Sequence, residues 1–100
     1  MIARIWRGRV RANDLNEYVR YVASTGIEEY KATPGNRGAY LFSRTEGDVA
    51  HVVTLSFWES LESIRSFAGP DATLARYYPL DERYLLDFPE RVEHFEIYGS

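Results

Sequence analysis

Apolar and polar positions repeat along this chain with two different periods, and each period predicts an element. From Ile2 to Arg11 the residues fall into two alternating sets, Ile2, Arg4, Trp6 and Gly8 against Ala3, Ile5, Arg7 and Arg9. The period of two predicts a strand with neither face wholly apolar, and it leaves open which face of the sheet Trp6 occupies. Asp14, with Glu17 at capping-box spacing, predicts the start of a helix whose stripe of Leu15, Tyr18, Val19 and Val22 faces the sheet. Gly26 weakens that helix, and the turn-forming run TPGNRG at 33–38 ends it. Ala39 to Thr45 and Val49 to Trp58 are extended runs joined by Glu46-Gly47-Asp48, a spacing that predicts an antiparallel hairpin. Ser60 can cap a second helix in which Leu61, Ile64, Phe67 and Ala68 share one face, and Gly69-Pro70 stops it. Asp71 can cap one more short helix to about Tyr78, which Pro79 ends. A mixed connection from Asp81 to Pro89 then leads to a last strand, Val92 to Tyr98.

The resulting order, β-α-β-β-α-β with the second helix in two pieces, predicts an α+β fold: a ferredoxin-like split unit with a four-stranded antiparallel sheet. Helices would cover one face only. The other face keeps apolar side chains that a chain of this length cannot cover, so a symmetric homodimer with two sheets face to face is expected. One hundred residues, 45% of them hydrophobic, predict a single domain spanning 1–100.

The net charge of −3 comes from interspersed acids and bases with a single Lys, Lys31, which gives nucleic-acid binding no electrostatic footing. Absence of cysteine excludes disulfides, thiolate metal sites and Cys nucleophiles. No apolar run reaches the roughly 18 residues of a membrane span, and Arg interrupts the N-terminal apolar positions, so the expectation is a cytoplasmic protein without membrane contact. Dinucleotide, P-loop, nucleophile-elbow and zinc-protease motifs are missing, and two His residues on separate strands offer no metal-ligand spacing.

Chemistry has few carriers. Trp58 stands where the third strand meets the second helix, able to wall a cavity or simply to fill the core or a dimer interface. His51 shares its strand face with Val53, Leu55 and Phe57, where an imidazole can act as a general base or pack. His94 reads as a half-exposed strand residue. Arg76, Tyr77, Tyr78, Arg83 and Tyr84 are the densest Arg and Tyr cluster, suited to an anionic or phenolic aromatic ligand and equally to an interface. Tyr18 and Phe67 face the same space from the two helices, as cavity lining or as core.

The stretch LSFWESLESIRSFAGPDATLARYY from Leu55 to Tyr78, followed by Arg83-Tyr84 and the terminal RVEHFEIY, resembles the antibiotic biosynthesis monooxygenase (ABM) domain family of the dimeric α+β barrel superfamily. TPGNRGAYLFSR and the first strand extend the resemblance over nearly the whole chain. It implies a dimeric barrel and a pocket between helices and sheet. One branch of the family converts phenolic polyketides to quinones with no flavin, metal or haem, and another degrades haem. The haem-degrading branch uses an Asn on the first strand, a Trp, and an axial His in the second-helix region. This chain has no Asn in Ile2 to Arg11 and no His in Leu61 to Tyr78. The resemblance therefore implies a cofactor-free oxygenase of a small aromatic molecule, with His51 and Trp58 catalytic and Arg76, Tyr77, Tyr18, Phe67 and Arg83 binding substrate. A non-catalytic dimeric ligand-binding or sensing module is the alternative, and a haem-binding or haem-degrading protein ranks below it.

Overall fold

The computed structural model describes residues 1–99; Ser100, the last residue of the expected domain, lies outside them. Four strands, β1 (Ile2–Arg11), β2 (Asn36–Glu46), β3 (Val49–Trp58) and β4 (Glu93–Glu96), form one antiparallel sheet in the order β2-β3-β1-β4. Helices α1 (Leu15–Ser24), α2 (Gly26–Ala32), α3 (Leu61–Ala68) and the one-turn α4 (Asp81–Tyr84) complete the ferredoxin-like α+β fold.

The central pair sets everything else. Ile2 pairs with Trp58 and Arg11 with Val49 without a slip, so residues facing each other across β1 and β3 share a sheet face. On the covered face, Ile2, Arg4, Trp6, Gly8 and Val10 lie opposite Trp58, Ser56, Thr54, Val52 and Ala50, all buried. Small side chains of β3 thus make room for Arg4 and Trp6, the bulky ones of β1. Tyr18, Val22, Ile27, Tyr30, Ile64 and Phe67 close the core from the helices.

Several boundaries differ from expectation for local reasons. A 3-10 turn over Ala12–Asp14 leads into α1, and Asp14 caps nothing: its carboxylate accepts from Arg11 Nε at 3.3 Å. Before Gly26 the helix breaks at Thr25, whose φ of −119° and ψ of −87° are not helical, and α2 sets off anew. β2 begins at Asn36, inside the expected turn, by way of a bulge between Asn36 and Gly38. The hairpin turn shrinks to Gly47-Asp48, with Gly47 at φ +62°. Ser60 caps α3 as expected, accepting from Ser63 N at 3.2 Å.

The expected helix from Asp71 to Tyr78 is absent. Asp71 Oδ1 instead accepts from the backbone N–H and hydroxyl of Thr73, which makes a turn. The carbonyls that a helix would use internally are taken elsewhere: Ala72 O and Leu74 O accept from Arg4, and Thr73 O accepts from Val92 N. Residues 74–78 therefore run as an irregular strap over the covered face. β4 is shorter than expected because only Glu93 to Glu96 face partners on β1.

Candidate functional site

The strap overhangs a small, half-open cavity against the sheet. Arg4, Trp6 and Thr54 form its floor, Tyr18, Val22, Thr25, Gly26 and Tyr30 one wall, and Arg76, Tyr77, Tyr78, Asp81 and Val92 the other. Its volume is about 30 Å³.

Arg4 is the centre of this site. It stands on β1 in phase with Ile2 and Trp6, so its side chain is driven under the strap and is 1% exposed. Nη1 donates to Ala72 O at 2.5 Å and faces His94 Nε2 at 3.2 Å, while Nη2 donates to Leu74 O at 2.9 Å. Nε has no partner, and among the described residues no carboxylate oxygen lies within 4.0 Å of the guanidinium. Burial lowers the Arg4 pKa, and the Phe67 ring, 5.8 Å away, offers a π face as partial compensation. Burial and the neighbouring Arg4 charge also lower the His94 pKa, which favours the neutral imidazole that can accept at Nε2.

Thr54, on β3 opposite Trp6, brings a second unpartnered polar atom, Oγ1, to the same floor. Asp81 is a buried carboxyl at the far wall. Its Oδ1 accepts from Tyr18 OH at 3.1 Å and its Oδ2 from Tyr78 N at 2.6 Å, and burial outweighs both in raising its pKa. The Tyr18 hydroxyl is pushed up in turn, first by burial and then by Asp81. Trp6 Nε1 donates to Tyr77 OH at 3.2 Å, and Tyr77 OH donates to Pro89 O. Arg76 pairs with Glu29 at 2.5 Å and lies over the rings of Phe67 and Tyr78.

Of the residues expected from the sequence, Tyr18, Arg76 and Tyr77 meet around this cavity. Phe67 sits one layer behind, under the two guanidinium groups. Trp58 is fully buried among Tyr30 and Phe67, with Nε1 bonded to Ser56 Oγ at 2.8 Å, and does not line the cavity. Arg83 is exposed and stacks on Tyr84. His51 projects from the opposite face of the sheet, 3.5 Å from Glu46, so His51 and Trp58 do not share one site within a protomer. Arg4, Asp81 and Thr54 were not singled out from the sequence. Arg4 carried a signal, an Arg in phase with Ile2 and Trp6 on an alternating strand.

His51 belongs to a wider groove of about 520 Å³ on the open face, with Arg7, Arg9, Phe42, Arg44, Val53, Asp87 and Pro89. Its charges are exposed and mutually paired, Arg7 with Glu93, Arg9 with Asp87 and Arg44 with Glu46. Such pairs hold little binding energy in reserve. The larger space is therefore not the better chemical site.

A haem held by an axial histidine does not fit the cavity: no histidine lines it, and His94 Nε2 is engaged by Arg4. Among the described residues no group of three or more His, Cys, Asp or Glu could hold a metal ion, and no helix is long and apolar enough to cross a membrane.

No family model matches this chain, and no curated protein matches it in sequence. Solved structures do match in shape. Rv0793 from Mycobacterium tuberculosis superposes with a TM-score of 0.64 at 18% identity, over 99% of this chain and 96% of its own. An MhuD variant with two manganese protoporphyrin IX bound per active site gives 0.65 at 20% identity, over 100% and 97%. The heme-degrader MhuD from Mycobacterium tuberculosis, with two hemes bound in its active site, gives 0.64 at 19%, over 100% and 98%. The chain shares the fold of these proteins over nearly its whole length.

Proposed function

We propose that this chain is a cytoplasmic, homodimeric monooxygenase of the ABM type, one domain over 1–100, acting without metal or organic cofactor. Its substrate is an aromatic or polyketide-like small molecule, held between helices and sheet of each protomer. The observation that carries this reading is a single cavity that gathers a cation with no carboxylate partner, Arg4, a carboxyl of raised pKa, Asp81, and the phenols of Tyr18, Tyr77 and Tyr78. Such a set suits a substrate that ionises on binding.

Asp81 takes a proton from an acidic C–H of the substrate, its raised pKa bringing it closer to the working pH of a base. Once the strap gives way and frees Arg76 from Glu29 and the Tyr77 hydroxyl from Pro89, these two side chains hold the oxyanion that develops next to that carbon. The carbanion passes an electron to O2, the two radicals join as a hydroperoxide, and loss of water leaves a new carbonyl, so that CH2 plus O2 becomes C=O plus H2O. An aromatic ring needs several times the present space. Substrate entry therefore requires the strap at 74–78, which forms neither helix nor strand, to give way.

The test is oxygen uptake with an anthrone as substrate, with quinone measured by mass spectrometry in the presence of a metal chelator. Quinone formed one to one with O2 supports the reading, and a rate equal to that of buffer contradicts it. The groove on the open face favours a second reading, a non-catalytic ligand-binding module in which His51 contacts the ligand. That module would bind an aromatic compound saturably and return it unchanged under air.

A further inference from the structure

We infer that Glu29 latches the entrance of this cavity, and that the gate it holds is made of the Arg76 and Tyr78 side chains rather than of the strap backbone. Glu29 stands on α2 outside the cavity lining, and both of its carboxylate oxygens reach across to the strap. Oε1 lies 2.5 Å from Arg76 Nη1, and Oε2 accepts from Tyr78 OH at 2.5 Å. Arg76 and Tyr78 both line the cavity, so one carboxylate fixes two side chains of its rim. The Tyr78 ring rests on Gly26 at the start of α2, where a Cβ would stand 3.8 Å from its Cε2.

The backbone on either side is pinned. Ala72 O and Leu74 O accept from the buried Arg4, Thr73 O accepts from Val92 N, and Ala75 N donates to Glu90 O. At the other end Tyr78 N donates to Asp81 Oδ2 at 2.6 Å and Asp81 N to Tyr78 O at 2.9 Å, a reciprocal pair that closes the turn through Pro79 and Leu80. Leu80 N is held in turn by Tyr21 OH at 3.0 Å. Displacing this backbone would break several hydrogen bonds together. The side-chain link is far weaker: Arg76 and Glu29 are 40% and 37% exposed, and a pair at such exposure shifts an equilibrium by about fivefold at most. Arg76 also keeps an anchor when it lets go, since Nη1 donates to Phe67 O at 2.9 Å and the guanidinium lies over the Phe67 ring. The gate therefore opens by rotation of Tyr78 away from Gly26 and of Arg76 about Phe67. That movement widens the cavity and frees the Arg76 charge at once.

This inference rests on reading the cavity as the ligand site, but its test needs neither ligand nor turnover. The chain has no cysteine, so a single thiol placed in the lining reports opening. Val22→Cys on the wall and Thr54→Cys on the floor replace residues that are 7% and 4% exposed, and either thiol alone suffices. The rate of reaction with 4,4′-dithiodipyridine, an uncharged aromatic disulfide, is followed by absorbance in the folded protein. Adding Glu29→Ala is expected to speed the reaction about fivefold. Tyr78→Phe should speed it when Glu29 is present and have no effect when Glu29 is replaced, because the two share one bond. Glu59→Ala, which breaks an exposed pair with Arg37 outside the cavity lining, should leave the rate unchanged. A rate unaffected by Glu29→Ala, or raised equally by Glu59→Ala, would overturn the inference. Faster thiol reaction in Glu29→Ala of a protein that takes up no oxygen would support the gate and count against the oxygenase alone.

Discussion

A guanidinium out of water and a hydroxyl without a partner are both expensive, and Arg4 and Thr54 place them on the same covered face of the sheet, diagonal to each other in register. Thr54→Val should therefore stabilise the ligand-free protein by about 1 kcal/mol in urea unfolding, where an ordinary buried Thr→Val change is expected to cost stability. Trp58→Ala, which empties the most enclosed part of the core, should cost about 3–5 kcal/mol by the same measurement. Asp81 gives a pH signature. Its native pKa is raised above the unfolded value of about 3.9, so the folded state binds the extra proton and stability falls as pH rises from about 4 through the native pKa. Asp71, lowered to about 2 by its bonds from Thr73 and Arg91, acts in the opposite sense: what it adds is present above about 3.9 and lost as pH falls toward 2. The stability of wild type relative to Asp81→Asn should thus decline in urea titrations as pH rises from about 4 through the native Asp81 pKa. Tyr18, Arg76 and Tyr77 were legible in the sequence as cavity residues because periodicity and composition mark them. Arg4 was not, because a strand pattern with Arg in both alternating sets does not say which set is buried until the partner strand is known.

At the level of elements, β3 was read to the residue because a turn containing Gly47-Asp48 precedes its extended run and the Ser60 cap of α3 follows it. The misread element was 71–78, where Asp71 and the spacing of apolar residues favour a helix locally. Arg4 and the segment at 90–92, distant in sequence, claim its backbone groups instead. No local pattern reports a carbonyl captured from 68 residues away. Two substitutions test how elements hold the site. Ser60→Ala removes the cap of α3 and should cost about 1 kcal/mol. Gly8→Ala is predicted to do more, because a Cβ there would stand 2.3 Å from the Trp6 indole that lies over it. It should cost about 1–3 kcal/mol and displace Trp6, which near-UV circular dichroism can follow.

On the whole-molecule scale, one sheet face is covered by helices and the other is bare. The bare face carries Ile5, Tyr40, Phe42, Val53, Leu55, Phe57 and Phe95, with Tyr40, Phe42 and Phe95 at least half exposed. An apolar face of that kind is the expected surface of a two-fold dimer, in which the proposed sites lie on the outer, helix-covered sides. Native mass spectrometry should find a dimer of the wild type, and Phe42→Glu should shift it towards monomer. His51 lies on the bare face and Asp81 on the covered one, so the same pair of residues separates the two possible locations of chemistry. The most direct measurement is oxygen uptake with an anthrone by wild type, Asp81→Asn and His51→Ala, each shown to be folded. Activity lost in Asp81→Asn and kept in His51→Ala is the predicted result; activity kept in Asp81→Asn and lost in His51→Ala would contradict a site between helices and sheet.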